Sequence, residues 1–285
     1  MSIAEYIAPA WRERLAAAGL ARPAELLDHS PLELALAGKW ECLAKPGLGR
    51  RERWRWELPN GAGSELLYLK RYGPADWRST WDRVLRQSAR HGRAWWECDQ
   101  SRLLSAAHVS VPQAIAAAEH MRGISERGSI VLLSAAEGDA FDRVWARAVE
   151  ANEAVVHGRA RHNVAIALAR FIAAFHATGL CHRDLYLCHV FTKLDLGGRA
   201  APQFTLIDLA RTFRPRWRRL RWIIKDLSQL DASAQQIGAR RTDRLRFLHA
   251  YLGPSLKASI RSYARRVVRK SDWILARIAR KSRST

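Results

Sequence analysis

The run CHRDLYLCHVF, residues 181–191, sets an aspartate directly after His-Arg and a second histidine five residues beyond that aspartate. A carboxylate that takes the proton of an attacking hydroxyl, followed at this spacing by a side chain able to face metal or phosphate, is an arrangement suited to phosphoryl transfer. Asp184 is the candidate base, and His182 and Arg183 are candidates to brace its loop by hydrogen bonds and packing. His189 fills a position where asparagine is usual. Mg²⁺ prefers oxygen to imidazole, so two roles stay open for it: support of a metal ion, or a hydrogen bond to phosphate or a neighbouring carboxylate.

Transfer of phosphate from ATP also needs a cation on the α- and β-phosphates, an acid that fixes that cation, and an acid that carries Mg²⁺. Lys70 closing LLYLK, Glu97 in AWWECDQ and Asp208 in LIDLAR stand in that order along the chain. Singly each is weak. Taken alone, Lys70 reads more readily as a strand-edge lysine in solvent, Glu97 as a solvated helical acid with Asp99 as its substitute, and Asp208 equally well as a helix N-cap. Gly47 and Gly49 in KPGLGR would let backbone N–H groups approach phosphates, although a hairpin without a ligand reads nearly as well. The Cys-His pairs at 181–182 and 188–189 do not have structural zinc spacing.

These residues need elements to hold them. RWRWEL alternates Trp54, Trp56 and Leu58 against charged residues, which is strand periodicity. With KWECLA before it and ELLYLKRY after it, residues 39–72 read as a three-stranded antiparallel meander. A helical stretch over about 78–107 follows, carrying Glu97 on what reads as the only helix before PQAIAAAE and SIVLLSAAEG, two further strands. Helices dominate beyond Gly138, with Val164, Leu168, Phe171, Ile172 and Phe175 at helical spacing just before the chemical loop. The expected fold is α+β: a five-stranded antiparallel N-terminal lobe (38–136) with one helix, a mainly helical C-terminal lobe (137–285) with basic C-terminal helices, and a helical N-terminal extension (1–37).

The 285 residues are 48% hydrophobic, enough for a sizeable core. The net charge is +21, and residues 211–285 hold 21 lysines and arginines against four acids. Such a field attracts polyanions, whether nucleic acid, anionic lipid or a phosphorylated glycolipid. The four cysteines form no CxxC pair, and the first twenty residues carry charge too early for a secretory leader, so a reduced cytoplasmic protein is expected. The most apolar run, VAIALARFIAAFHATGL, is broken by Arg170 and His176, and membrane contact would be peripheral.

HRDLYLCHVF and the IDL-x-R run (Ile207, Asp208, Leu209, Arg211) resemble the catalytic and metal motifs of the bacterial lipopolysaccharide kinases, the Kdo/WaaP-type (InaA-like) family. The resemblance covers roughly residues 38–230. It implies a protein-kinase-like two-lobe fold and an ATP- and Mg²⁺-dependent kinase acting on a sugar of the lipopolysaccharide inner core, typically a heptose. A different sugar such as Kdo, a protein acceptor, or a basic nucleic-acid-binding protein are the competing readings; in the kinase reading no nucleic acid is expected. The resemblance also implies a place at the inner face of the inner membrane, on an anionic surface, and acyl carrier protein as a potential partner. His189 stands where the family itself carries histidine.

Overall fold

In RERWRWELPN alternate side chains are buried, Trp54, Trp56 and Leu58 among them, because one face of this strand covers a core. The computed structural model describes residues 2–44, 51–61, 63–254 and 259–282. They fall into two compact units, Met1–Ala106 with Val111–Ala135 and Leu209–Thr212, and Ala107–Ser110 with Ala136–Asp208 and Phe213–Thr285.

The first unit is built on an antiparallel sheet of β1 (Ser2–Ile7), β2 (Lys39–Cys42), β3 (Arg51–Asn60), β4 (Gly63–Tyr72), β5 (Ala114–Arg122) and β6 (Ser125–Ser134), in the order β1-β5-β6-β4-β3-β2. The α+β class is as expected, with one strand more than the five read from the sequence. The extra strand corrects the expected helical extension: β1 pairs along its whole length with β5. Short helices α1 (Arg12–Ala17) and α2 (Glu25–Asp28) follow it. Trp11, Leu15, Leu20 and Leu26 then pack with Trp56, Leu67, Leu69, Ile115 and Leu132 on one face of the sheet. Local helix propensity could not reveal the strand, because β1 exists through pairing with residues more than a hundred positions away.

The other face is covered by α4 (Arg93–Ala106), whose Ala94 and Cys98 pack with Tyr72, Ala117, Val131 and Leu133. Covered on both sides, β5 is buried at almost every position, which explains the unbroken apolar run AIAAA. A second correction lies just before α4: two helices separate β4 from β5, not one, since α3 (Trp77–Arg86) ends before Gly92. Strand side chains cap the start of α4. Gly92 N donates to Glu119 Oε2 at 2.6 Å, Arg93 N to Glu126 Oε1 at 3.2 Å, and Ala94 N to Ser129 Oγ at 3.3 Å. These bonds satisfy N–H groups that a helix start leaves open, and they place carboxylates at its positive end. Arg93 also pairs with the fully buried Glu126 at 2.8 Å. Glu126→Gln is expected to lower unfolding stability by about 1–3 kcal/mol, measured by denaturant titration.

The second unit opens with β7 (Asp139–Ala140), which pairs with β8 (Val190–Lys193), itself paired with β9 (Gln203–Leu206). Its helices are α5 (Phe141–Glu150), α6 (Gly158–Ala177), α7 (Arg219–Gln236), α8 (Arg241–Leu252) and α9 (Ile260–Ser282). The buried stripe of α6 is Val164, Leu168, Ile172 and Phe175. On α9 Val267, Ser271 and Ile274 turn inward while Arg261, Arg265, Arg266 and Arg269 stay in solvent. No helix among the described residues is long and apolar enough to cross a membrane.

Candidate active site

In the first unit β4 and α4 bring Lys70 and Glu97 together. Lys70 Nζ lies 2.6 Å from Glu97 Oε1, with the lysine side chain 14% exposed and the glutamate 1%. Tyr72 OH donates to Glu97 Oε2 at 3.3 Å. The backbone N–H of Leu209, the residue after Asp208, donates to Glu97 Oε1 at 3.2 Å. A glutamate this buried is tolerable only with such partners, and together they hold the ammonium group in place. Asp99 makes a looser contact, 3.6 Å from Arg102, and does not approach the lysine role. Gly47 and Gly49 lie outside the described residues.

In the second unit the loop after α6 is organised by a residue that sequence reasoning missed. Asp226 on α7 is fully buried and accepts from both loop N–H groups, His182 N at 2.6 Å and Arg183 N at 2.8 Å. His176 Nε2 stands 3.3 Å from the same carboxylate, and its Nδ1 is 2.8 Å from Tyr251 OH. Lys225 Nζ donates to the Arg183 carbonyl. Arg183 sits at φ 72°, a left-handed conformation that side chains other than glycine seldom adopt, and the paired bonds to Asp226 hold it there. Its guanidinium lies 5.6 Å from the Phe213 ring. One signal was available: Asp226 is one of four acids in the last 75 residues, set within the apolar run WIIKDLSQL.

His182 is fully buried, and its Nε2 donates to the Ile207 carbonyl at 3.0 Å, tying the loop to the residue before Asp208. That bond fixes the proton on Nε2 and leaves the buried Nδ1 without a hydrogen-bond partner. Burial holds the His182 pKa below the usual histidine value. Below about pH 6.5 the unfolded chain therefore takes up a proton that folded His182 refuses, and stability falls as pH drops through that range. His182→Gln is expected to flatten this acid limb, read from unfolding curves between about pH 7 and 5.

His189 joins the loop to the second acid. Its Nδ1 donates to the Asp184 carbonyl at 2.7 Å, and its Nε2 lies 3.8 Å from Asp208 Oδ2. Burial pulls the pKa of this ring down, but Cys188, the Asp184 carbonyl and the Asp208 carboxylate outweigh it and raise the value to about 9. At neutral pH the ring is an imidazolium, a donor to carboxylate or phosphate. Asp208 is also left-handed, at φ 62°, and its side chain is 30% exposed. Asp184, in the first motif, is half-buried. The described residues also gather His176, Cys181 and Asp226 within ligand reach of one another. Both Asp226 oxygens already accept N–H bonds from the loop, so this cluster braces it.

Of the residues singled out from the sequence, Lys70 and Glu97 thus meet in one unit, and His182, Arg183, Asp184, His189 and Asp208 are linked by bonds in the other. The sequence model of the lipopolysaccharide kinase (Kdo/WaaP) family matches residues 52–251, a span that includes all seven. A curated relative, "Lipopolysaccharide core heptose(I) kinase WaaP" of Pseudomonas aeruginosa, is 37% identical over 99 residues, covering 34% of this chain and 37% of the relative. The protein of the same description from Escherichia coli is 37% identical over 92 residues, covering 32% of this chain and 34% of the relative. The chain therefore spans only about a third of the length of these curated relatives in the matched stretch. A solved structure described as "WaaP in complex with acyl carrier protein" superposes with a TM-score of 0.65 at 22% identity, covering 95% of this chain and 98% of that one. The likeness shows the fold, which is that of the solved WaaP structure.

Proposed function

Because the chain belongs to the lipopolysaccharide kinase (Kdo/WaaP) family, we propose that it transfers the γ-phosphoryl group of ATP to a hydroxyl of a lipopolysaccharide inner-core sugar, a heptose above all. The observation that carries this reading is the lysine on β4 held at 2.6 Å by a glutamate that is only 1% exposed. A surface that merely collects polyanions has no use for a lysine fixed by a buried acid, whereas a site that must hold phosphates in one place does.

Each side chain then has a task. Lys70 binds the α- and β-phosphates. Asp184 accepts the proton of the attacking hydroxyl and aligns its oxygen, a role worth about 10²–10⁴ in rate. His182 and Arg183 keep the loop in the shape that presents Asp184. Asp208 supplies the hard carboxylate oxygen that suits Mg²⁺, and its partly exposed side chain fits that use. Mg²⁺, when bound, offsets the negative charge of the phosphates. His189 is assigned to phosphate or to Asp208 as a proton donor, in keeping with its raised pKa.

The same reading places the protein on the cytoplasmic face of the inner membrane, where an anionic surface would attract the basic residues of α7 to α9. Acyl carrier protein is proposed as a partner, since the structurally similar WaaP was solved in complex with it. In support, the helical unit carries a half-open, mainly apolar pocket of about 330 Å³ lined by Val164, Leu168, Leu230, Leu248 and Val267, with Arg161 and Arg244 also lining it, which could take an acyl chain.

The nucleotide half of the proposal is tested by thermal unfolding with ATP–Mg²⁺. A ligand at about 100 times its Kd stabilises the folded state by about 2.7 kcal/mol. The wild type should shift upward, Lys70→Met and Asp208→Asn much less. No shift in the wild type at millimolar ATP–Mg²⁺ would sink the kinase reading.

A further inference from the structure

Helix α3 is turned inside out. Its residues Trp77, Trp81 and Leu85 recur at i, i+4 and i+8 on one face, and that face is in solvent, with the three side chains 69%, 51% and 71% exposed. An amphipathic helix of a soluble protein normally buries such a stripe. Here the buried side is led by Arg83, which is 2% exposed. Its guanidinium donates to the carbonyls of Ser88 at 2.5 Å, His91 at 2.6 Å and Ile124. Those bonds lock the rotation of the helix. An Asp76 cap on Ser79 N at 2.7 Å fixes its start. The outward stripe is therefore a built feature held by a buried charge, and not a frayed end.

We propose that this face of α3 seats in the headgroup region of an anionic lipid bilayer. Charge and side-chain type select that occupant. Tryptophan favours the boundary between headgroups and acyl chains, and a helix with an apolar stripe but low overall hydrophobicity lies in that plane without crossing it. Arg78 flanks the stripe with its guanidinium 5.3 Å from the Trp77 ring, and Arg90 is exposed just beyond the helix. Of the two acids at this helix, Asp82 is ion-paired with Arg86 and Asp76 is taken up by the helix cap. The chain as a whole carries +21. The inference deepens the glycolipid-kinase reading: a membrane-anchored acceptor is reached by an enzyme that docks on the bilayer through a rigid helix as well as through diffuse charge.

The test is sedimentation of the full chain with vesicles of phosphatidylethanolamine, phosphatidylglycerol and cardiolipin, against vesicles of phosphatidylcholine alone. The wild type should pellet with the anionic vesicles, and W77S/W81S/L85S should lose partitioning by about tenfold or more. Leu85→Asp, a single change at the most exposed of the three positions, is expected to act in the same direction and guards against misfolding of the triple variant. Transfer to a soluble, deacylated core oligosaccharide should be unchanged in both. Equal pelleting of wild type and variants would overturn the proposal, as would a wild type that stays in the supernatant. So would loss of a wild-type dimer in the variants without any lipid effect, which would make the stripe a contact between copies. Vesicle binding without transfer to any acceptor would uphold the docking face and reject the kinase reading instead.

Discussion

Asp184→Asn is expected to lower kcat by about 10²–10⁴ while the KM for ATP changes little. Asparagine has nearly the shape of aspartate but cannot accept the hydroxyl's proton. The loop around it should survive the change. The N–H groups of His182 and Arg183 remain on Asp226, and the bond from His189 Nδ1 goes to the backbone carbonyl of residue 184, not to its side chain. A variant with turnover within a few-fold of wild type would show that this carboxylate is not the base. A parallel loss of ATP binding would show that it contacts nucleotide instead.

Asp226→Ala is the second large effect, and it acts without touching substrate. Alanine removes the acceptor of two buried N–H groups and the carboxylate that faces His176 Nε2. Breaking a buried charged network from one side costs about 3–5 kcal/mol, because the groups left behind stay dehydrated and unpaired. The left-handed Arg183 would lose what holds it. Unfolding stability should fall by that amount, and kcat should fall with it while the slope of log kcat against pH is preserved, since the base is unaltered. Asp226→Asn retains one acceptor oxygen and should recover part of both. A stable Asp226→Ala protein with normal kcat would remove Asp226 from the account.

The order of the candidate site residues was easier to read in the sequence than the scaffold around them. Lys70, Glu97, Asp184 and Asp208 could be ordered from motif spacing because phosphoryl transfer constrains residue type and succession. The alternation of β3 and the stripe of α6 could be read because burial on one face imprints its period on the chain. Three things were hidden. β1 depends on pairing with β5, and residues 2–28 carry no local signal of it. The break between α3 and α4 depends on Glu119 and Glu126, carboxylates from strands some thirty residues later. Asp226 is 42 residues from Asp184, and an aspartate in a helix gives no sign of which backbone it will face until the loop and the helix are packed. Each is a tertiary contact, and local propensity does not encode such contacts.

The most direct test of the central claim is transfer of labelled γ-phosphate from ATP–Mg²⁺ to purified, dephosphorylated inner-core glycolipid, comparing wild type with Asp184→Asn. The acceptors would include a heptose-bearing core, a Kdo-only core and a protein mixture. The account predicts label on the heptose-bearing core with wild type and near-background label with the variant. Label on the Kdo-only core or on protein alone would keep the phosphotransferase and overturn its acceptor. Absence of transfer to every acceptor by a folded wild type would contradict the account.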